Sequence, residues 1–236
     1  MTKRILTLVC FAALYQGAQA QTQPTAPSAP APAAAPAPVQ ESSKTKVRLG
    51  LFVAPNIGWE KTGNDGISSD GGKLGYCFGL NTEFQFSKRY ALATGLHINK
   101  MGYGNTQNIA GIQLSTTTRS QYVEIPVTLK LSTNEIGYLT YFGKFGLAPS
   151  LSISDKFKDS KGAEGNLTNQ IQPLRMALII GFGAEYSISG DTRLFAGLDF
   201  NNGFTNVYTR NAVTDAAGNK RKSINNFVSL QLGVFF

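Results

Sequence analysis

Apolar and polar residues alternate with a period of two along the last eleven residues of the chain, 226–236. One face of this segment carries only large apolar side chains: Val228, Leu230, Leu232, Val234 and Phe236. The opposite face mixes small, polar and aromatic residues. This pattern predicts a β-strand with one continuous apolar face. Because an open edge this apolar would aggregate, we expect the segment to pair with another strand of the same chain.

Seven further segments show the same alternation. The eight predicted strands are 47–59, 73–86, 90–100, 121–131, 138–153, 173–188, 193–204 and 226–236. Their connections alternate between short turns (87–89, 132–137 and 189–192) and long polar loops (60–72, 101–120, 154–172 and 205–225). An even number of strands places both ends of the domain on the side of the short turns. Within the fourth segment, Pro126 lacks a backbone N–H and predicts a bulge or a local break.

These segments predict an all-β fold, an eight-stranded antiparallel up-and-down transmembrane β-barrel. Each segment reaches the roughly 9–11 residues that a spanning strand needs. A soluble barrel of the lipocalin type would show the same alternation, with its apolar face turned inward around a small hydrophobic ligand. Only 15% of the residues are charged, whereas a soluble surface carries about 25–35%. The low charge and the Gly- and Ala-rich opposite face favour the membrane barrel.

The polar face of the predicted strands carries scattered charges of both signs. An eight-stranded barrel is narrow enough for side chains to fill it, and unpaired charge inside it would be costly. We therefore expect a structural network of ion pairs in a filled lumen, with a proton or substrate relay as the less favoured interpretation. The predicted network consists of Arg48, Lys73, Glu83, Glu124, Lys130, Lys144, Arg175, Glu185 and Asp199.

The first 45 residues differ in composition from the rest. Residues 1–20 have the pattern of a secretory signal peptide, with Lys3 and Arg4, an apolar run over 5–14 and a small-residue cleavage site at 18–20. Residues 21–45 are rich in Pro and Ala and predict a disordered periplasmic linker. The barrel domain is accordingly expected over 46–236.

Few residues suggest chemistry beyond the barrel itself. His97 is the sole histidine and Cys77 the one cysteine after the predicted signal peptide, so neither a metal spacing nor an internal disulfide is predicted. No phosphate-binding loop is present in the sequence, and no cofactor or enzymatic activity is expected. Lysines at 156, 158 and 161 alternate with acidic residues, which argues against nucleic-acid binding. The run 220–222 predicts either a solvated loop or a contact with anionic lipopolysaccharide.

The run 121–130, with its Tyr122, Glu124, Pro126 and Lys130, resembles the Tyr-x-Glu-Ile-Pro-x-x-x-Lys strand of the PorT-like outer-membrane β-barrel family of Bacteroidota. The aromatic and glycine-rich run 141–151 is similar to the next strand of that family, and 48–51 with Pro55-Asn56 to its opening strand. The resemblance covers about residues 46–236. It implies an outer-membrane barrel; the member that names the family belongs to a protein-export and gliding system.

The expected function is that of an integral barrel of the bacterial outer membrane with a filled lumen, outward loops and a structural or interaction role. The alternative is a narrow pore or an accessory of protein export or transport. The expected partners are outer-membrane lipids and lipopolysaccharide, the barrel-insertion machinery, and envelope or secretion proteins. We expect the insertion machinery to read the terminal strand, in particular Val228, Leu230, Leu232, Val234 and Phe236.

Overall fold

The computed structural model describes residues 46–63, 67–109, 112–167, 170–209 and 222–236. All of them belong to one compact unit, Ser42–Phe236. The predicted signal peptide and Pro/Ala linker lie outside the described residues, as do Lys220 and Arg221. Within the described part of the chain, no helix is both long and apolar enough to cross a membrane.

The described residues form strands that are joined edge to edge. They are β1 (Lys46–Thr62), β2 (Ile67–Gln85), β3 (Tyr90–Ile109), β4 (Ile112–Glu124), β5 (Val127–Ser132), β6 (Leu139–Asp159), β7 (Glu164–Asn166), β8 (Leu174–Ser189), β9 (Thr192–Gly203) and β10 (Ser223–Phe235). β4 and β5 both pair with β3 on one side and β6 on the other, so they share one position in the wall. β7 is a three-residue addition to β6. The result is an antiparallel ring with eight wall positions, which confirms the predicted fold class.

β1 and β10 close the ring. Their register pairs Leu51 with Val234 and Trp59 with Asn226, so the terminal strand meets the predicted first strand. The backbone N–H of Phe236 extends this pairing by donating to the carbonyl oxygen of Leu49 at 2.8 Å. Closure therefore leaves neither β1 nor β10 with an open edge along its paired length.

The large apolar side chains of the strands point outward. Val53, Leu74, Phe182 and Leu151 are each more than half exposed on the outer wall, while charged and amide side chains of the same strands are buried inside. This arrangement is the reverse of a lipocalin-type barrel, whose apolar face would line the interior. The exposed belt matches a surface that lipid would cover.

The break at Pro126 lies where the sequence predicts it. β4 ends at Glu124 and β5 begins at Val127. Ile125 keeps one link to the neighbouring strand, because its N–H donates to the carbonyl oxygen of Pro149 at 3.0 Å. The ring therefore continues past the proline although the regular ladder is interrupted.

The prediction of a long loop over 101–120 was wrong. β3 continues to Ile109 and β4 begins at Ile112, so nearly the whole segment is a paired hairpin. β1, β2 and β6 also continue beyond the predicted strand ends, to Thr62, from Ile67 and to Asp159. The outward apolar residues stop in these extensions, where polar residues such as Lys61, Arg119 and Lys156 are exposed instead, although the backbone pairing goes on. We call the end of the barrel with the short turns the short-turn end, and the opposite end the long-loop end.

Candidate functional site in the barrel lumen

A cluster of four charged side chains fills the lumen near the short-turn end. Arg48 donates to Glu83 Oε2 at 2.5 Å from Nη2 and to Glu185 Oε1 at 2.8 Å from the same nitrogen. Lys130 Nζ donates to Glu83 Oε1 at 2.5 Å and also to Glu185 Oε1. The four side chains come from β1, β2, β5 and β8, so the cluster joins walls on different sides of the ring. We call these four residues the ion-pair plug.

Aromatic rings pack against the plug. Lys130 Nζ lies 4.3 Å from the ring centre of Phe142 and 5.1 Å from that of Phe235, and the Arg48 guanidinium lies 4.7 Å from Phe235. The contacting buried cluster is Phe52, Ala54, Cys77, Phe142, Phe195 and Phe235. Cations over aromatic faces are attracted by the ring quadrupole, and the effect grows where water is excluded. The rings and ion pairs together fill this end of the lumen with buried side chains.

A second ion pair lies in the middle of the lumen. Lys144 Nζ lies 2.9 Å from Asp199 Oδ2 and donates to Gln231 Oε1 at 3.0 Å. Next to it is a cavity of about 30 Å³, lined in part by His97 and Glu124. That volume is close to the share of one water molecule in the liquid. Since Glu124 Oε2 and Asp199 Oδ1 have no hydrogen-bond partner among the described residues, the cavity has the polar walls that a bound water needs.

Arg175 organises the lumen above this cavity. Its guanidinium donates to Asn225 Oδ1 and to Asn201 Oδ1, each at 2.5 Å, and lies 3.6 Å from Glu124 Oε2. The same group lies 5.6 Å from the ring centre of Phe227. A buried guanidinium needs several acceptors, because it carries five N–H donors. The two asparagines accept its hydrogen bonds, whereas Glu124 is an ion-pair partner without a hydrogen bond.

The long-loop end of the lumen is closed by apolar and aromatic side chains. Ile171 and Tyr208 form an isolated β-bridge there, between the two loop segments that follow β7 and β9. The buried cluster that contains them is Met101, Tyr103, Tyr122, Ile171, Val207, Tyr208 and Phe227, with Leu167 packed against it. We call this set the loop-end cap. It lies on the opposite side of the small cavity from the ion-pair plug.

Sequence reasoning missed part of this site. Glu60, only 1% exposed, accepts a hydrogen bond from Asn105 Nδ2 at 3.1 Å and another from Ser223 Oγ. Phe52 and Phe142 also point into the lumen. Alternation could have predicted the inward position of Phe52, because its neighbours Leu51 and Val53 belong to the outward face. Glu60 and Asn105 gave no such signal, since they lie in segments predicted as loops.

Of the nine predicted lumen charges, Lys73 lies apart. Its Nζ pairs with Asp70 Oδ2 at 3.0 Å near the long-loop end, and about a third of its side chain is exposed. The other eight divide into the ion-pair plug, the Lys144–Asp199 pair and the Arg175–Glu124 pair. His97 lies in the lumen, where Nε2 is 2.9 Å from Asn81 Oδ1. Among the described residues, no three His, Cys, Asp or Glu side chains gather as a metal ion would require.

Comparison with solved structures finds other outer-membrane barrels. The Neisserial surface protein A is 13% identical, with 80% of this chain and 95% of that one covered and a TM-score of 0.49. OprG from Pseudomonas aeruginosa is 8% identical, with 82% and 96% covered and a TM-score of 0.47. A major outer membrane protein from Thermus thermophilus is 14% identical, with 81% and 99% covered and a TM-score of 0.45. Among curated proteins, none matches the sequence significantly.

The sequence family described as "Outer membrane protein beta-barrel domain" matches residues 19–209. The match covers most of the chain and agrees with the closed antiparallel ring, the outward apolar belt and the polar interior. The same evidence confirms the predicted location in the bacterial outer membrane and its lipid surroundings. In bacterial barrels of this kind the short turns face the periplasm and the long loops face the outside, and we expect the same orientation here. The chain belongs to the outer membrane protein beta-barrel domain family.

Proposed function

We propose that this protein is a non-conducting outer-membrane barrel with a structural or interaction role, performed by the surface that it presents and not by its lumen. The observation that supports the proposal is that buried side chains fill the lumen at two levels. The ion-pair plug occupies the periplasmic half of the lumen, and the loop-end cap covers the extracellular half. Between them lies a cavity of only about 30 Å³. A solute larger than water has no room in that space.

Single-channel recording in a planar bilayer tests the closed lumen. Insertion is established first by heat-modifiable migration of the folded protein on a gel. We expect no stable conductance steps from inserted wild-type protein, over the baseline of the protein-free bilayer. Regular ion steps of constant size would contradict the proposal and support the alternative of a narrow pore.

The proposed interaction surface must face the outside of the cell. Ser160→Cys places a thiol at the exposed turn that follows β6, and Lys88→Cys places one at an exposed short turn. The native Cys77 is buried, so labelling of the protein without an introduced cysteine gives the background. On intact cells we expect a membrane-impermeant maleimide to label Ser160→Cys and to spare Lys88→Cys until the cells are lysed. The opposite labelling order would overturn the orientation.

Membership in the narrower PorT-like group is part of the proposal. Its support is the run 121–130, in which Glu124 and Lys130 both point into the lumen and make ion pairs, on either side of the break at Pro126. An accessory role in protein export is the second candidate that follows from this resemblance. Crosslinking from the extracellular or periplasmic turns to an envelope or secretion protein would favour it. No enzymatic role is proposed, because within the described residues no Ser, Asp or Glu hydrogen-bonds the His97 ring.

A further inference from the structure

Three cations lie on the outer wall of the barrel, just above the apolar belt. On β3 and β4 the last apolar outward residues of the belt are Ile98 and Val123, which pair with Phe78 on β2 and Leu151 on β6. Lys100 lies two residues beyond Ile98 on β3, and Arg119 lies four residues beyond Val123 on β4, where Arg119 pairs with Lys156. Two residues along a strand are about 7 Å. Lys100 and Arg119 therefore lie about 7 and 14 Å beyond the apolar residues of their own strands, while Leu74 and Ile153 extend the exposed apolar surface on the flanking strands.

The wall is hollowed at this place. One surface hollow of about 440 Å³ is lined by Leu74, Tyr76 and Lys100 together with Arg119 and Lys156. A second of about 440 Å³ continues outward and shares Arg119 and Lys156. Register shifts in the β2–β3 and β4–β6 ladders flank the first hollow. Gly102 has no side chain to fill it, and a Cβ there would lie 2.8 Å from Lys73 Cβ.

Among the described residues, the charges of this groove have no acidic partners, since no carboxylate lies within 4.0 Å of Lys100, Arg119 or Lys156. The carboxylates near the groove already have partners. Asp159 Oδ1 accepts from the backbone N–H groups of Lys161 and Ala163, and Asp70 pairs with Lys73 at 3.0 Å. Glu164 accepts a hydrogen bond from Lys158 at 2.7 Å. That hydrogen bond is also the main reason why the pKa of Glu164 is lowered, with smaller contributions from Lys156 and Arg119.

We infer that this groove binds the phosphate-bearing headgroup of an outer-leaflet lipid. Arg119, Lys156 and Lys100 supply N–H donors to phosphate oxygens, for which guanidinium and ammonium groups are well suited. The Tyr76 ring, which lies 5.5 Å from Lys100 Nζ, borders the headgroup on its membrane side. The acyl chains lie along the apolar row of Phe78, Ile98, Val123 and Leu151. The inference requires the membrane location of the barrel and the proposed orientation, with the long-loop end outside, and does not depend on the interaction role proposed above.

The assignment to a lipid, and not to free phosphate, follows from the continuity of the groove with the belt. Leu74 and Tyr76 line the groove on the β2 side and are 79% and 48% exposed. A free anion would contact only the cations. An amphiphile contacts the cations and the adjoining apolar residues, since its headgroup binds the cations while its chains remove the apolar residues from water.

The test measures binding of bisphosphorylated lipid A to the full folded chain in detergent, by native mass spectrometry. The variant Lys100→Gln/Arg119→Gln/Lys156→Gln removes the three cations. The control Lys61→Gln/Lys88→Gln/Arg89→Gln removes the same two lysines and one arginine from exposed positions elsewhere. We expect a loss of about fivefold in affinity for each cation removed from the groove, a smaller effect at high salt, and wild-type binding by the control.

Three results would overturn the inference. One is equal binding by the wild type and the groove variant; another is equal binding of a lipid A from which both phosphates have been removed. The third is complete displacement by inorganic phosphate at the concentration of the lipid, which would make the groove a free-phosphate site. Heat-modifiable migration shows whether each variant is folded. Should the triple variant misfold, Arg119→Gln and Lys156→Gln are measured singly, and unchanged affinity in both would contradict the inference.

Discussion

Arg48 and Glu185 form a two-fold ion pair across the lumen, with Nη1 3.0 Å from Oε2 and Nη2 2.8 Å from Oε1. The two residues are 137 positions apart in the sequence and lie on β1 and β8, which are not neighbours in the ring. A paired guanidinium and carboxylate share two parallel hydrogen bonds, which fixes their geometry as well as their charge. The pair therefore ties opposite walls together in addition to filling the space between them.

The first prediction concerns this pair. Arg48→Ala leaves Glu83 and Glu185 with Lys130 as their remaining partner in the plug, so one buried carboxylate loses its compensation. Removing one member of a buried ion pair costs about 3–5 kcal/mol, and we expect the free energy of unfolding to fall by that order. The measurement is equilibrium unfolding in urea of the barrel refolded into lipid vesicles.

Lys46→Ala provides the control. It lies two residues away on the same strand, and its ion pair with Asp191 is exposed on both sides. An exposed pair contributes about 0–1 kcal/mol, so a small change is expected. Equal destabilisation by the two substitutions would show that the ion-pair plug is not the cause.

A second prediction follows from the close approach of β5 and β6. A Cβ added at Gly146 would collide with the carbonyl oxygen of Val127 and lie 2.6 Å from Thr128 Cα. Because backbone atoms cannot turn away as a long side chain can, Gly146→Ala should push the two strands apart. We expect it to lower the free energy of unfolding by about 1–3 kcal/mol, measured in the same way.

Gly143→Ala, on the same strand, is the matched control. The nearest atom to a Cβ there is the carbonyl oxygen of Gly181 at 3.9 Å, which is ordinary contact. We expect little change in stability. If Gly143→Ala proved as harmful as Gly146→Ala, a general loss of backbone freedom would replace the steric explanation.

The third prediction concerns the terminal residue and assembly. Phe236 is 57% exposed on the outer wall at the short-turn end, where we expect the insertion machinery to read it. Phe236→Ser should lower the fraction of folded barrel in the outer membrane, scored by heat-modifiable migration of membrane fractions. Phe204→Ser is a close control, since Phe204 is also 57% exposed but lies near the extracellular end. Assembly that is equally impaired in both would indicate a loss of apolar area and not a signal at the end of the chain.

The sequence predicted the ring well because strand alternation is a local property. Successive side chains of a strand point to opposite faces, so Leu49 and Leu51 must lie on the face opposite Arg48. Pro126 similarly marks its own break, since the missing N–H belongs to that residue. The same local logic failed over 101–120, where Gly102, Gly104 and Arg119 replace the large apolar residues on the outward face.

The candidate site was predicted as a set of residues but not as an arrangement. The period-two alternation assigned four charged residues to the lumen, and all four meet there: Arg48, Glu83, Lys130 and Glu185. It assigned Lys73 to the same network, yet Lys73 pairs with Asp70 at the long-loop end. The register shift between Lys73 and Tyr76 places Lys73 beside Gly102, on the face opposite the buried Met101 and Tyr103. Alternation predicts the face of a side chain only where the strand is regular, and a register shift depends on the neighbouring strand.

By itself, the alternation of residues determined the strand count and gave each strand one apolar and one polar face, while the low charge and the Gly- and Ala-rich polar face favoured the membrane over a soluble barrel. Only the tertiary structure decided that the apolar face turns outward, which charges pair, that the plug and the loop-end cap lie towards opposite ends of the lumen, and that Lys100, Arg119 and Lys156 share one groove. The first group depends on the covalent geometry of a strand, which repeats every two residues. The second depends on closing β1 onto β10, which brings together residues that are more than a hundred positions apart.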